Sequence, residues 1–386
     1  MMRPSSLLIV LLFVCGGCAN TSDNDQSAET TPALTGPYLG QTPPGTEPEL
    51  FAPGIVSTGM HTRDLAMTPE GDEIYFSVSA GPLVTILGSR LVDGGWTMPE
   101  VAEFSADPWV GDIEPHISPD GSRFFFVSKR TLDGSPISKA ELGKWDRADI
   151  WVMERVNGGW SEPVNLGPPV NSDADEYFPS TTSDGTIYFT REDPETGRNY
   201  IYRSRSNESG YAEPERLPEH VNSANQFNSF VAPDESYVIL GVFGRTDSHG
   251  GADYYIVFRD EDDMWSDPLN LGPTVNQERG QEWAPYVSPD GKYFFFMSTR
   301  QPYPGDAPAQ LTRDWLLDFH QLPESGNPAM YWVDAGFVEE LRQEADPPSS
   351  RRQFRPYTQP SWFIAHAAFQ IFTIRSTRSS AFMYST

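Results

Sequence analysis

A four-residue turn recurs five times along this chain: Thr68-Pro69-Glu70-Gly71, Ser118-Pro119-Asp120-Gly121, Thr182-Ser183-Asp184-Gly185, Ala232-Pro233-Asp234-Glu235 and Ser288-Pro289-Asp290-Gly291. The starts lie 50, 64, 50 and 56 residues apart. Periods of this size indicate a propeller or another repeat array. Each turn leads into β-branched and aromatic residues, at Ile74-Tyr75-Phe76, 124–127, Ile187-Tyr188-Phe189, 237–240 and 293–297. Those runs read as buried strands.

A further strand follows in each unit, at 150–153, 200–202, 254–258 and 330–333, with a weaker version at 84–91. Tight turns at Asp93-Gly94-Gly95 and Asn157-Gly158-Gly159 come next, where glycine tolerates the positive φ of a hairpin. They enter a Trp-x-x-Pro strand at Trp96/Pro99, Trp160/Pro163 and Trp265/Pro268, with Tyr211/Pro214 as a variant. Proline cannot donate to a sheet ladder, so this strand belongs at an outer edge. One tryptophan per unit at the same position reads as core between units rather than as a sugar-stacking platform, and Trp283 also reads as core. With 32 Gly and 35 Pro and no collagen period, the expectation is an all-β chain of short strands.

Four antiparallel strands per unit with a Ser-Pro-Asp-Gly turn resemble the WD40-like β-propeller repeat of TolB-type proteins, over roughly residues 48–340. That resemblance implies a β-propeller but no particular activity. The Trp-x-x-Pro-x-x-Leu-Gly endings at Trp160 and Trp265 also resemble copies found in exported bacterial proteins. Strand accounting sets the blade number. The fifth unit lacks a Trp-x-x-Pro strand after Trp332, while residues 48–57 match 163–172 at several positions. The N-terminal strand is therefore expected to complete the last blade and remove the open edges. Five blades is the reading; six is the alternative.

The ends of the chain read differently. Arg3 precedes an apolar run at 7–14, the length of a signal-peptide core and too short to span a bilayer. Gly16-Gly17-Cys18 resembles the lipobox of bacterial lipoproteins, which implies a lipid on Cys18 and membrane anchoring; ordinary cleavage is the alternative. The expected organisation is a signal peptide at 1–17, a polar flexible tether at 18–46, the propeller at 47–346 and a tail at 347–386. That tail carries five arginines and no acid, and reads as weakly ordered or peripherally docked. Cys15 and Cys18 are the only cysteines, so neither disulfides nor Cys-ligated zinc are expected in the mature chain.

Acids number 54 against 27 Lys plus Arg, a net charge of −27 that rules against a nucleic-acid surface. No phosphate loop, dinucleotide glycine pattern or Gly-x-Ser-x-Gly elbow is found, so nucleotide and serine-hydrolase chemistry are not expected. Counting back eight and six residues from each turn acid gives expected channel-facing pairs: Thr62/Asp64, Asp112/Glu114, Glu176/Phe178, Gln226/Asn228 and Glu282/Ala284. Arg130, Arg191, Arg245 and Arg300 follow the second strands and are expected on the same face. One reading pairs these acids and arginines between adjacent blades. A second makes Glu114, Glu176 and Glu282 the carboxylates of a glycan-active hydrolase, an analogy with other five-bladed propellers. A third places Ca²⁺ at Asp173, Asp175 and Glu176. The six histidines show no His-x-x-x-His spacing, and zinc is not expected. Long loops at 129–148 and 299–328 are where binding specificity would reside. Together these features point to an exported, lipid-anchored propeller at the outer membrane, periplasm or cell surface, binding an envelope protein or glycan.

Overall fold

The computed structural model describes residues 34–141, 147–278, 280–300 and 308–345; the expected signal peptide at 1–17, Cys18 and the expected tail at 347–386 lie outside them. The chain is a five-bladed β-propeller of small antiparallel sheets. From the axis outward, blade 1 consists of His61–Met67, Glu73–Ala80, Leu83–Val92 and Glu100–Val101. Blade 2 is Ile113–Ile117, Arg123–Ser128, Asp149–Val156 and Val164–Asn165. Blade 3 is Glu176–Thr181, Ile187–Asp193, Arg198–Ser204 and Glu215–Arg216, and blade 4 is Asn225–Val231, Tyr237–Phe243, Ala252–Phe258 and Leu269–Asn270. Blade 5 takes Glu282–Val287, Tyr293–Ser298 and Ala329–Asp334 from one end of the chain and Glu49–Leu50 from the other.

The recurrent turn joins the first two strands of each blade, and its residue types follow from its hydrogen bonds. In blade 2, Ser118 Oγ donates to Asp120 Oδ1 at 2.6 Å and accepts the Arg123 N–H at 2.9 Å. The Gly121 N–H closes onto the Ser118 carbonyl at 2.8 Å, with Gly121 at φ +71°. Only glycine reaches that backbone region without penalty. Blade 4 nevertheless places Glu235 there at φ +61°. Its carboxylate compensates by bonding Tyr188 at 2.6 Å and Arg259 at 3.0 Å, tying blade 4 to blade 3.

The outer strand is shorter than the Trp-x-x-Pro pattern suggests. Gly95–Trp96 and Gly159–Trp160 finish the hairpin from the third strand, and pairing resumes only after the proline. The tryptophans themselves fill the seams between blades. Trp160 packs on Phe124 at 5.3 Å and donates to Tyr75 Oη of blade 1 at 3.0 Å, and Trp265 faces Tyr188 of blade 3 at 6.4 Å.

The ring closes as the strand count requires. Glu49 pairs with Trp332 and Leu50 with Tyr331, and the Phe51 N–H donates to the Met330 carbonyl at 2.8 Å. Phe51 is 0% exposed, with its ring 4.9 Å from Phe295 and 5.2 Å from Trp332. Residues 34–46, read above as part of a tether, are packed instead. Trp96 donates its backbone and indole N–H to the Leu34 and Gly36 carbonyls at 2.7 Å each, while Tyr38 lies 5.4 Å from Trp332 and bonds Asp290 at 3.1 Å. Among the described residues the packed chain thus begins at Leu34 rather than near Pro48. The missed signal is Tyr38-Leu39, two apolar residues in a polar stretch, of which Leu39 is buried.

Deleting a fully buried phenylalanine ring costs about 3–5 kcal/mol, so Phe51→Ala should lower the unfolding free energy by about that amount in a urea titration. Leu132→Ala, at a 78% exposed loop position, should stay within about 0.5 kcal/mol. Equal effects would mean that the N-terminal strand does not close the ring.

Candidate functional site

Every innermost strand carries a β-bulge at the same place. Asp64, Glu114, Phe178, Asn228 and Ala284 all adopt positive φ, from +49° to +64°, and the register of each inner strand shifts there. Non-glycine residues hold such a conformation only where the surroundings impose it. In blades 2, 3 and 4 a neighbouring blade does so by accepting the buried N–H of the bulge residue. Ser77 Oγ accepts from Glu114 at 2.9 Å, Glu114 Oε2 from Phe178 at 2.7 Å and Thr190 Oγ1 from Asn228 at 3.0 Å.

The bulge interrupts strict alternation, so the two members of each expected pair do different things. The outer members, Thr62, Asp112, Glu176, Gln226 and Glu282, are all at most 1% exposed and do not line an open channel. Three of them are served by groups of their own blade. Arg130 binds Asp112 at 2.5 Å and also reaches the Phe104 carbonyl. Arg191 binds Glu176 at 2.7 Å and the Val170 carbonyl at 2.8 Å. Glu282 accepts from Ser298 Oγ at 2.8 Å, and Arg300 donates to the Val275 carbonyl at 2.5 Å. Each of these guanidiniums also lies over an aromatic ring, Arg130 at 5.4 Å from Phe126, Arg191 at 5.0 Å from Tyr202 and Arg300 at 4.8 Å from Tyr331. Blade 4 has Gln226, as blade 1 has Thr62, where blades 2, 3 and 5 have acids, and Arg245 turns instead to Asp247 at 3.0 Å and over Tyr255 at 4.8 Å. Arg130 and Arg191 thus tie an inner strand to the loop entering the same blade, not to the acid of the next blade.

Among the described residues, an ion pair between the inner strands of neighbouring blades is made by Arg63, which is not among the expected channel residues. Arg63 binds Asp64 at 2.7 Å and Glu114 of blade 2 at 2.6 Å. Arg63 lies between Thr62 and Asp64, so alternation assigned it to the opposite side; the bulge at Asp64 removes that distinction. Burial pushes both carboxyls up, Glu114 to about 8, against the pull of the guanidinium. Glu114 therefore bridges three blades, taking Arg63 on one oxygen and the Phe178 N–H on the other.

At the axis the five blades leave almost nothing open. Leu65, Glu114, His116, Phe178, Phe230 and Tyr286 surround a void of about 10 Å³, the space of a single water. His116 is buried there, its Nε2 accepting the Thr181 N–H at 2.9 Å, and burial pulls its pKa down to about 3. It is a neutral structural histidine. The calcium candidates do not form an oxygen cage: Asp173 is exposed, Asp175 accepts the Ala148 N–H at 3.0 Å, and both Glu176 oxygens are bonded to Ser172. Among the described residues no group of three or more His, Cys, Asp or Glu side chains is arranged to hold a metal ion.

No protein-family model matches the sequence, and no curated protein matches it. Among solved structures the chain is similar to a TolB candidate from Agrobacterium tumefaciens, at 16% identity over 71% of this chain and 90% of that chain, with a TM-score of 0.40. It is also similar to TolB from Acinetobacter baumannii, at 16% identity over 71% of this chain and 57% of that chain, TM-score 0.38. A thermostable family-43 glycoside hydrolase aligns at 12% identity over 78% of this chain and 97% of that chain, TM-score 0.43. Likeness at this level carries nothing about activity.

Glu282 supplies a pH test. It is wholly buried, its Oε2 has no partner among the described residues, and burial pushes it up to about 8. The folded state then keeps a proton that the unfolded chain releases near pH 4.3. The resulting stabilisation is complete below that value and is lost as pH rises towards 8. Glu282→Gln removes the titration, so its urea midpoint should rise relative to wild type between about pH 5 and pH 8. A difference independent of pH would mean that Glu282 is ionised in the fold.

Proposed function

We propose that this chain is an exported, lipid-anchored propeller, held through Cys18, that binds a protein partner at the cell envelope. The observation that carries the reading is where exposed apolar side chains fall. Of thirteen exposed large apolar side chains among the described residues, seven (Met60, Leu83, Leu132, Leu311, Leu316, Leu317 and Leu322) gather on the face where the second strands end, in loops, at a strand start or on a short helix, and the other six are spread over outer strands and hairpins. Blades 5, 1 and 2 contribute them. The matching loops of blades 3 and 4, at 194–197 and 244–251, contain no large apolar residue. An apolar arc on one side of one face is the mark of an interaction surface, whereas scattered single residues are not.

Its centre is the helix Arg313–Gln321, capped by Thr312, whose Oγ1 accepts the Trp315 N–H. Trp315 stacks on Phe319 at 5.1 Å, yet none of the nine helix residues is buried. A helix this short is marginal on its own and is normally held by packing of its apolar face. A partner protein laid on Leu316, Leu317 and Leu322 supplies that packing. The hydrolase alternative asks for two carboxyls facing an open pocket. Glu114, Glu176 and Glu282 are instead buried and engaged as described, which is why the binding reading is preferred.

Leu316→Asp combined with Leu317→Asp should weaken binding of the envelope partner at least about tenfold while leaving the melting temperature unchanged. Glu114→Gln and Glu176→Gln should do the reverse, lowering the melting temperature and sparing binding. Cys18→Ser should move the protein from the membrane to the soluble fraction. Retained partner cross-linking in the double leucine variant would overturn the assignment of the face, and turnover of an oligosaccharide lost in Glu176→Gln would restore the hydrolase.

A further inference from the structure

On the opposite face, where the recurrent turns lie, a groove of about 610 Å³ runs between the turns of blades 4 and 5. It is lined by Tyr237, Tyr293 and Val338, by the acids Asp234, Asp334 and Glu339, and by the cations Lys292 and Arg342, of which Arg342 pairs with Glu339 at 3.5 Å. One wall is the helix Phe337–Glu344. That helix is pinned by Phe337 against Phe294 at 5.6 Å and by Arg342 over Phe258 at 4.6 Å. Asp234 and Asp334 accept backbone N–H groups from Ser236 at 3.1 Å and Gly336 at 2.7 Å, and no ion pair holds either among the described residues.

We propose that the groove is a docking site for the chain's own segment Arg351-Arg352-Gln353-Phe354-Arg355. Three observations converge on this occupant. The described chain ends at Ala345, the C-terminal cap of the helix that lines one side of the groove. Six residues from there to Arg351 reach at most about 20 Å, more than the roughly 12 Å length of the eight-residue helix, so the segment can return to every wall. The charges match: residues 347–386 carry five arginines and no acid in a chain of net charge −27. The side chains match as well. Tyr237, Tyr293 and Val338 suit Phe354, and the carboxylates of the groove suit guanidiniums, which bind them in bidentate fashion. A volume of this size is that of a site for a short peptide or small molecule.

Cross-linking in the full-length chain tests this. With Cys15 and Cys18 changed to Ser, Val338→Cys and Phe354→Cys are introduced together and treated with a short bis-maleimide. Ser236→Cys on the opposite wall serves as a second anchor should Val338→Cys fold poorly. The expected product is an intramolecular cross-link in high yield, several-fold above that of the control pair Val338→Cys with Ser379→Cys. Asp334→Lys with Glu339→Lys should reduce the yield several-fold, and adding Arg351→Glu with Arg352→Glu should restore it. A yield no higher than the Ser379 control, cross-links formed only between chains, or insensitivity to charge reversal would each overturn the proposal. These outcomes are independent of the leucine face and of any envelope partner.

Discussion

Five small sheets make a ring only if the last is zipped to the first, and here that seam is made by a few residues from distant parts of the chain. Glu49–Leu50 adds the fourth strand to blade 5, and Phe51 seats its ring against Phe295 and Trp332. The strap from Leu34 to Gln41 crosses the same seam from below, from Trp96 of blade 1 to Tyr293 and Asp290 of blade 5. Without this closure the third strand of blade 5 would expose an unpaired edge. Every other blade contact presupposes the resulting geometry.

Closure at five blades also determines what the centre can be. The inner strands converge so tightly that each bends at a left-handed bulge residue, and the remaining void has room for about one water. Charged groups this close to the axis are costly unless compensated. Arg63 therefore serves two carboxyls, and Arg130 and Arg191 each serve one. Glu282, with no ion pair among the described residues, is pushed up to about 8 by burial. Centre and faces thus differ: the acids and arginines at the centre hold strands and loops in place, while the apolar arc and the groove, to which we propose interaction roles, lie on the two faces.

Much of the architecture is legible in local residue types, because each repeat must solve the same problem with nearest neighbours. Ser118, Asp120 and Gly121 specify a turn through bonds made within five residues. The aromatic runs after the turns specify buried strands, and the missing strand after Trp332 identifies its replacement at the other end. Candidate site residues are less legible. Residues 112, 114, 176 and 282 stand out as acids, but their roles depend on which way a bulged strand turns them. Counting by twos assumes a regular pleat, which is why Arg63 was passed over and why acids expected in a channel are instead enclosed.

Composition and spacing by themselves determined that this chain is a closed array of five antiparallel sheets, because turn chemistry and hydrophobic alternation are local and repeat with the fold. Tertiary structure alone decided which carboxyl meets which guanidinium, which side chains remain in water, and how far the axis stays open. Those outcomes depend on the relative tilt of five sheets around a ring, and residues such as Arg63 and Glu114, 51 positions apart in sequence, settle them only once they are brought within hydrogen-bonding distance.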